Sequence, residues 1–174
     1  ITGGLLPVRH TITLLVDNES GVLSRIAGLF SARGFNIESL NVGETLDPET
    51  SRITLVTTGD DFIIQQIIKR FNNMVNVIKV SDLTDEVRVE REMVLVRMDA
   101  RDETRAEILR TADIFRAKVV DVGPKSYTLE LTGDKDKING FIELLRPMGI
   151  KEIARTGTVA MKRETKLMKR GEEK

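Results

Sequence analysis

Apolar residues alternate with polar ones, then step in threes and fours, then alternate again, and the chain runs this course twice. In "HTITLLV" (residues 10–16), Ile12, Leu14 and Val16 alternate with Thr11, Thr13 and Leu15, which predicts a strand with one strongly apolar face. After a polar turn at 17–20 the period becomes helical, with Val22, Leu23, Ile26, Leu29 and Phe30 on one stripe. Ser20 is the expected N-cap, Arg33 falls in the last turn, and Gly34 follows as a left-handed stop. "FNIESLNVG" predicts a second strand whose apolar parity switches between Ile37 and Leu40, the mark of a bulge. "DPET" (47–50) is a turn, and "SRITLVTTG" a third strand through Ile53 and Leu55. Asp60 or Asp61 caps a helix over 62–72 that turns Ile63, Ile64, Ile67, Ile68 and Phe71 inward, and "VNVIKVSDL" (75–83) is a fourth strand.

A charged stretch at 84–92 separates this βαββαβ order from a second one. "EMVLVRM" is its first strand. A helix over 103–115 is expected to bury Ala106, Leu109, Ala112 and Ile114 or Phe115. "AKVVDVG" and "SYTLELTG" form a hairpin around residues 123–125. A helix over 134–145 buries Ile138, Phe141, Ile142 and Leu145, and "IKEIARTG" closes the unit. The fold class that follows is α+β, two ferredoxin-like βαββαβ domains in tandem, at 10–83 and 92–157. Residues 158–174 read as a charged tail, a solvated helix or a frayed end.

Charge and composition narrow the function. The 27 basic and 27 acidic residues of the 174-residue chain leave no field for a polyanion. A ferredoxin-like RNA-binding sheet needs stacking aromatics, and here there is no Trp and one Tyr, while the Phe residues fall on or beside helices. Absent cysteine excludes disulfides and thiolate metal sites and suits a cytoplasmic setting. No apolar run reaches membrane-spanning length, and the first ten residues lack the order of a signal peptide. The lone His10 has no patterned carboxylate partners and reads as a surface residue. The carboxylates lie in charged runs, and no phosphate-binding glycine loop appears.

One loop remains as candidate chemistry. At residues 18–23, "NESGVL", the first turn of a helix offers the free N–H groups of Gly21, Val22 and Leu23 at the positive end of the helix dipole. Gly21 lets an anion approach the backbone, and Asn18 can hold the ammonium or the carboxylate of an amino acid. The same residues also suit a plain capped turn.

"DNESGVLSRIAGLFSARGFNIESLNVG" followed by "SRITLV" resembles an ACT domain, and more particularly the regulatory (small) subunits of acetolactate synthase, also called acetohydroxyacid synthase. The likeness continues through "VEREMVLVRM", "IFRAKVVDV", "SYTLELTG" and "EIARTG", so it spans residues 10–157. It implies a non-catalytic chain that activates a separate catalytic large subunit and makes it sensitive to valine or another branched-chain amino acid. Thiamine diphosphate, Mg²⁺ and FAD are then carried by the catalytic subunit, with no cofactor here. The resemblance also implies a homodimer whose ACT domains pair side by side, with effector at the seam. Asn18, Gly21, Val22 and Leu23 of one chain would hold the amino-acid head group, and Asn36 and Ile37 of the other would complete the site. An ACT sensor without a synthase partner, an enzyme in its own right and an oligomerisation module are the competing readings. An amino-acid-responsive transcription regulator would need a helix-turn-helix that the second βαββαβ order leaves no room for.

Overall fold

The computed structural model describes residues 8–164. The first unit runs β1 (Val8–Asp17), α1 (Val22–Ser31), β2 (Ile37–Glu44), β3 (Thr50–Gly59), α2 (Asp61–Asn72) and β4 (Val77–Asp82). Its antiparallel sheet has the order β2-β3-β1-β4. Ile12, Leu14, Val16, Ile53 and Leu55 point from the sheet to Val22, Ile26, Phe30, Ile64, Ile67 and Phe71 on the helices, and all are buried. The expected irregularity in β2 is present, as a register shift between Ile37 and Ser39. Asp60 caps α2, its carboxylate accepting from the Ile63 N–H at 3.2 Å.

The second unit runs β5 (Arg88–Asp99), α3 (Asp102–Phe115), β6 (Lys118–Val122), β7 (Ser126–Gly133), α4 (Lys135–Leu145), a 3₁₀ turn (Arg146–Met148) and β8 (Ile150–Arg155), with sheet order β6-β7-β5-β8. The two units are the tandem ferredoxin-like folds that the periodicity predicts. All four residues expected inward on α4 are buried. On α3 the expected face is rotated by about one residue. Ile108, Thr111 and Ala112 are buried, with Phe115 packed beside them, whereas Ala106 is exposed and Leu109 and Ile114 face outward. Adjacent apolar residues on α3 satisfy two stripes, and the tilted stack of Phe115 on Phe141 at 5.2 Å accompanies the stripe that is buried.

Three further expectations are corrected. The segment read as a solvated helix or frayed end contains β9 (Val159–Lys162), which pairs antiparallel with Arg88–Arg91 of β5; residues 165–174 of that tail lie outside the described residues. The charged stretch before the second unit therefore includes the first third of a long strand, since backbone pairing accepts charged side chains wherever one face stays wet. His10 is buried, not on the surface, with Nδ1 3.4 Å from Thr84 Oγ1 and Nε2 4.0 Å from an Asp61 carboxylate oxygen. Finally, α1 ends at Ser31 with Ala32 as C-cap, so Arg33 lies beyond the last turn, while Gly34 does take the left-handed conformation at φ 70°.

β9 packs on β1, its Ala160 buried, and so closes the face of the first sheet opposite the helices. Beside it Gly157 sits at φ 79°, where a Cβ would lie 2.7 Å from Ser39 Oγ, and the Thr158 N–H donates to that same oxygen at 2.7 Å. Only glycine fits that contact between the units.

Candidate functional site

The loop from β1 into α1 is pinned on both sides. The Asp17 N–H donates to Asn76 O at 2.9 Å, and Asn76 Nδ2 reaches the carboxylates of Asp17 and Glu19 at 3.2 and 3.1 Å. Across the loop, the Asn18 N–H donates to Glu49 O at 2.8 Å and Asn18 Nδ2 to Pro48 O at 2.9 Å and Glu44 Oε1 at 3.4 Å. The turn that receives Asn18 is itself fixed, because the Glu49 N–H donates to Asp47 Oδ1 at 3.0 Å and Thr45 Oγ1 to Asp47 O at 2.9 Å. These bonds use the donor side of the Asn18 amide and leave Oδ1 as an acceptor.

The N-cap is Gly21, not Ser20, and no side chain caps the helix. Gly21 takes φ 84°, which a residue with a Cβ enters at a cost of roughly 1–2 kcal/mol, and the space in front of it is open for 4 Å. The first backbone bond into the helix is from the Arg25 N–H to Gly21 O; the Val22 N–H makes a long contact of 3.4 Å to Glu19 O, and the N–H groups of Gly21 and Leu23 donate to nothing among the described residues. α1 has no acidic residue in its first turn to take up the dipole. The Val22 side chain is buried, so only its backbone is available, while Leu23 is partly exposed.

The start of the same loop lines a cavity of about 360 Å³ with Asp17, Asn18 and Glu19, closed by Asp47, Pro48 and Glu49 of the facing turn; Gly21, Val22 and Leu23 are not part of its lining. One side of the loop therefore presents N–H groups and the other a ring of carboxylates. Donors at a helix end favour an anion, and carboxylates favour a cation. Periodicity marked residues 47–50 only as a turn; the acids within "DPET" were the signal for this half of the arrangement.

Asn36 and Ile37 do not join this cluster within one chain. Asp17 pairs with Thr50 and Ile37 with Thr57, so they stand at opposite ends of β3, about 23 Å apart at ~3.3 Å per residue. The Asn36 carbonyl accepts from Thr57 Oγ1 at 2.7 Å, and its side chain is exposed and bonds to nothing among the described residues. Ile37 opens β2, an edge strand of the sheet, and Asn36 immediately precedes it.

The corresponding loop of the second unit has different electrostatics. Arg101 Nε lies 2.5 Å from Asp99 Oδ2 and Lys151 Nζ 3.2 Å from Asp99 Oδ1. The hydrogen bond from Arg101, then that from Lys151, holds the Asp99 carboxyl below its ordinary range, and the same bond raises Arg101. Asp102 and Glu103 occupy the first turn of α3. At the start of the second sheet, Arg155 forks onto the buried Glu92 at 2.6 and 2.9 Å, which raises the guanidinium further. Among the described residues no group of three His, Asp or Glu is arranged to hold a metal, and no helix is long and apolar enough to cross a membrane.

Comparison with known proteins gives a consistent set of likenesses. A family model for the small-subunit-like ACT domain of acetohydroxyacid synthase matches residues 12–79, and one for the small subunit of acetolactate synthase matches residues 91–164. An acetolactate synthase small subunit of Aquifex aeolicus is 54% identical over 157 residues, covering 90% of this chain and 82% of that protein. A probable acetolactate synthase small subunit of Archaeoglobus fulgidus is 53% identical over 159 residues, covering 91% and 99%. The crystal structure of a small subunit of acetolactate synthase from Thermotoga maritima superposes with a TM-score of 0.81 at 42% identity, over 90% of this chain and 98% of that one.

Proposed function

Because the chain belongs to the family of acetolactate synthase small subunits, we propose that it is a non-catalytic regulatory subunit. It binds valine or another branched-chain amino acid at a seam between two copies, and through that seam controls a separate catalytic chain in the cytoplasm. Thiamine diphosphate, Mg²⁺ and FAD belong to the catalytic chain in this reading.

The observation that carries the proposal is the separation of the site's two halves. Asn18 and Glu44 lie together at one end of the sheet, Asn36 and Ile37 at the other, and β2 is an edge strand. Antiparallel pairing of β2 with a second copy's β2 would bring the second copy's Asn36 and Ile37 toward the first chain's Asn18–Leu23 loop, and the reverse. The zwitterion head group then sits on one chain and its aliphatic side chain at the junction of both. An effector that touches two chains favours one arrangement of the pair, and a coupling of about 1–3 kcal/mol is enough for feedback control.

The test is calorimetric titration with valine, isoleucine and leucine. Asn36→Ala weakens binding without lowering the melting temperature, and Asn18→Ala weakens it at the other half with a small loss of stability, because its bonds to Pro48 and Glu44 go with it. Mixing the two variants restores part of the binding, because a mixed pair rebuilds one intact seam site. A mixture that binds no better than either variant sinks the two-chain site, and a wild-type chain that binds none of the three amino acids sinks the proposed function.

A further inference from the structure

The irregularity in β2 re-aims one side chain. Ile37 pairs with Thr57 and Ser39 with Val56, so Glu38 is the extra residue of a bulge. Ile37 and Leu40 both pack on the helix-side core, whereas Val56, opposite Ser39, is buried outside that core. Ser39 therefore faces the other side of the sheet, where its Oγ accepts from the Thr158 N–H at 2.7 Å. In an unbroken strand Ile37 and Ser39 would share a face. The bulge thus sets Ile37, which completes the seam site proposed above, two residues from a side chain that touches the second unit.

The segment that Ser39 touches is fastened to the second unit. The Thr156 N–H donates to Met93 O at 3.0 Å and the Met93 N–H to Thr156 Oγ1 at 3.1 Å, next to the fork of Arg155 on Glu92. Glu38 makes a second link, with an oxygen 3.5 Å from Arg9 Nε of its own sheet and 3.9 Å from Lys135 Nζ at the start of α4. Between the two links lies a cavity of about 430 Å³ bordered by Glu38, Ser39, Lys135, Arg155 and Gly157. At this edge the units meet through a few polar contacts around open space, and such contacts open more readily than a packed apolar layer. The bonds that pin the Asn18–Leu23 loop, by contrast, all stay within the first unit.

We propose that the β2 bulge couples effector to the second unit, with Ser39 as the positioning residue. Effector held on the loop of one chain then acts on the second unit of the other copy, through that copy's Ile37–Ser39. The assignment rests on the two-chain seam described under the proposed function. β2 has a ladder on one side only, so its start lacks support on the other. Effector and the neighbouring copy supply that support, and the bond between Ser39 and Thr158 opens less often.

The Thr158 amide reports this bond directly. In the full wild-type chain, its hydrogen exchange, read by NMR, slows by at least about threefold when valine (or whichever of isoleucine and leucine binds) is added to saturation. Ser39→Ala removes the acceptor, so Thr158 exchanges fast with or without effector. Calorimetric affinity for the effector stays at the wild-type value in this variant. In assembly with the catalytic chain, the variant keeps its activation, and the effector concentration needed for inhibition rises at least about fivefold. A merely structural Ser39 would lower the melting temperature and leave feedback intact. Feedback at wild-type strength in Ser39→Ala overturns the proposal, and so does unchanged Thr158 exchange in a wild-type chain that binds effector. Loss of effector binding in Ser39→Ala puts Ser39 in the seam itself and overturns the coupling role. A wild-type chain that binds none of the three amino acids rejects the seam, and the coupling with it, which separates the two failures.

Discussion

The two βαββαβ units share one topology and differ at two places that matter. At the first helix of the first unit, Gly21 leaves open space and free N–H groups, and no acid stands in the first turn. At the matching helix of the second unit, Arg101 is extended, Asp102 and Glu103 already complement the dipole, and Asp99 is tied to Arg101 and Lys151. The same fold therefore presents an anion-receptive helix end once and a self-neutralised one once. The second difference is in the sheets. In β5, Val94, Val96 and Met98 are buried while Leu95 and Arg97 are not, the alternation of a sheet with one wet face. In β1, His10 through Leu14 are buried without a break, because β9 covers the second face. Topology alone produces neither an open helix end nor a dry face; the residues at one helix start and one added strand do so.

Core deletions test first whether the units are energetically equivalent. Each closes its helix layer with an aromatic pair, Phe30–Phe71 at 5.7 Å and Phe115–Phe141 at 5.2 Å. Phe71→Ala and Phe141→Ala should each cost about 3–5 kcal/mol in urea unfolding at fixed protein concentration. Since β9 ties the units together, a single transition is expected for the wild type. A biphasic curve in which Phe71→Ala moves one phase alone would break that equivalence into two independent domains.

Arg155→Ala comes next, at about 2 kcal/mol. It leaves the buried Glu92 carboxylate without its fork, discounted here because Arg155 itself is partly wet. Arg155→Lys, which keeps the charge and loses the fork, should recover less than the whole amount in the same melts.

The contrast between the helix starts is sharpened by exchange. Gly21→Asp adds a Cβ at φ 84°, at a cost of roughly 1–2 kcal/mol, and puts a carboxylate among the donors. At an effective dielectric near 20, like charges about 4 Å apart repel by roughly 4 kcal/mol, so even after screening valine affinity should fall tenfold or more. Gly21→Ala, strained but uncharged, should lose less. Arg101→Gly should gain no valine binding, because Asp102 and Glu103 remain. A titration in which it did bind would undo the electrostatic distinction.

The smallest effect belongs to Asp99. Its folded pKa is lowered, so its stabilisation is complete above the unfolded value of 3.8 and is lost as pH falls through the folded value. Acid melts of Asp99→Asn should be flatter than wild type below pH 3.8 and differ little in slope above it. Equal slopes in acid would remove the Arg101–Lys151 contacts from the account of that loop.

Periodicity alone carried much of this. Ile12, Leu14 and Val16, the inward stripe of α4 and the bulge after Ile37 are local facts, because the 2.0 and 3.6 residue repeats report which side of an element is apolar. The glycine at the mouth of α1 was legible as a candidate for the same reason: a residue without Cβ and a helix start are both written locally. What packs against the other side is not. Thr11 and Thr13 look like a wet face and are buried; His10 looks peripheral and is enclosed; "TVAMK" within a charged tail becomes the strand that covers them. Strand pairing is made by backbone groups that nearly every residue carries, so neither the partner of β9 nor the distance between Asn18 and Asn36 has a local signature. The phase of α3, where Ile108 and Leu109 compete, and the positive φ of Gly21 were decided likewise by what the tertiary structure sets beside them.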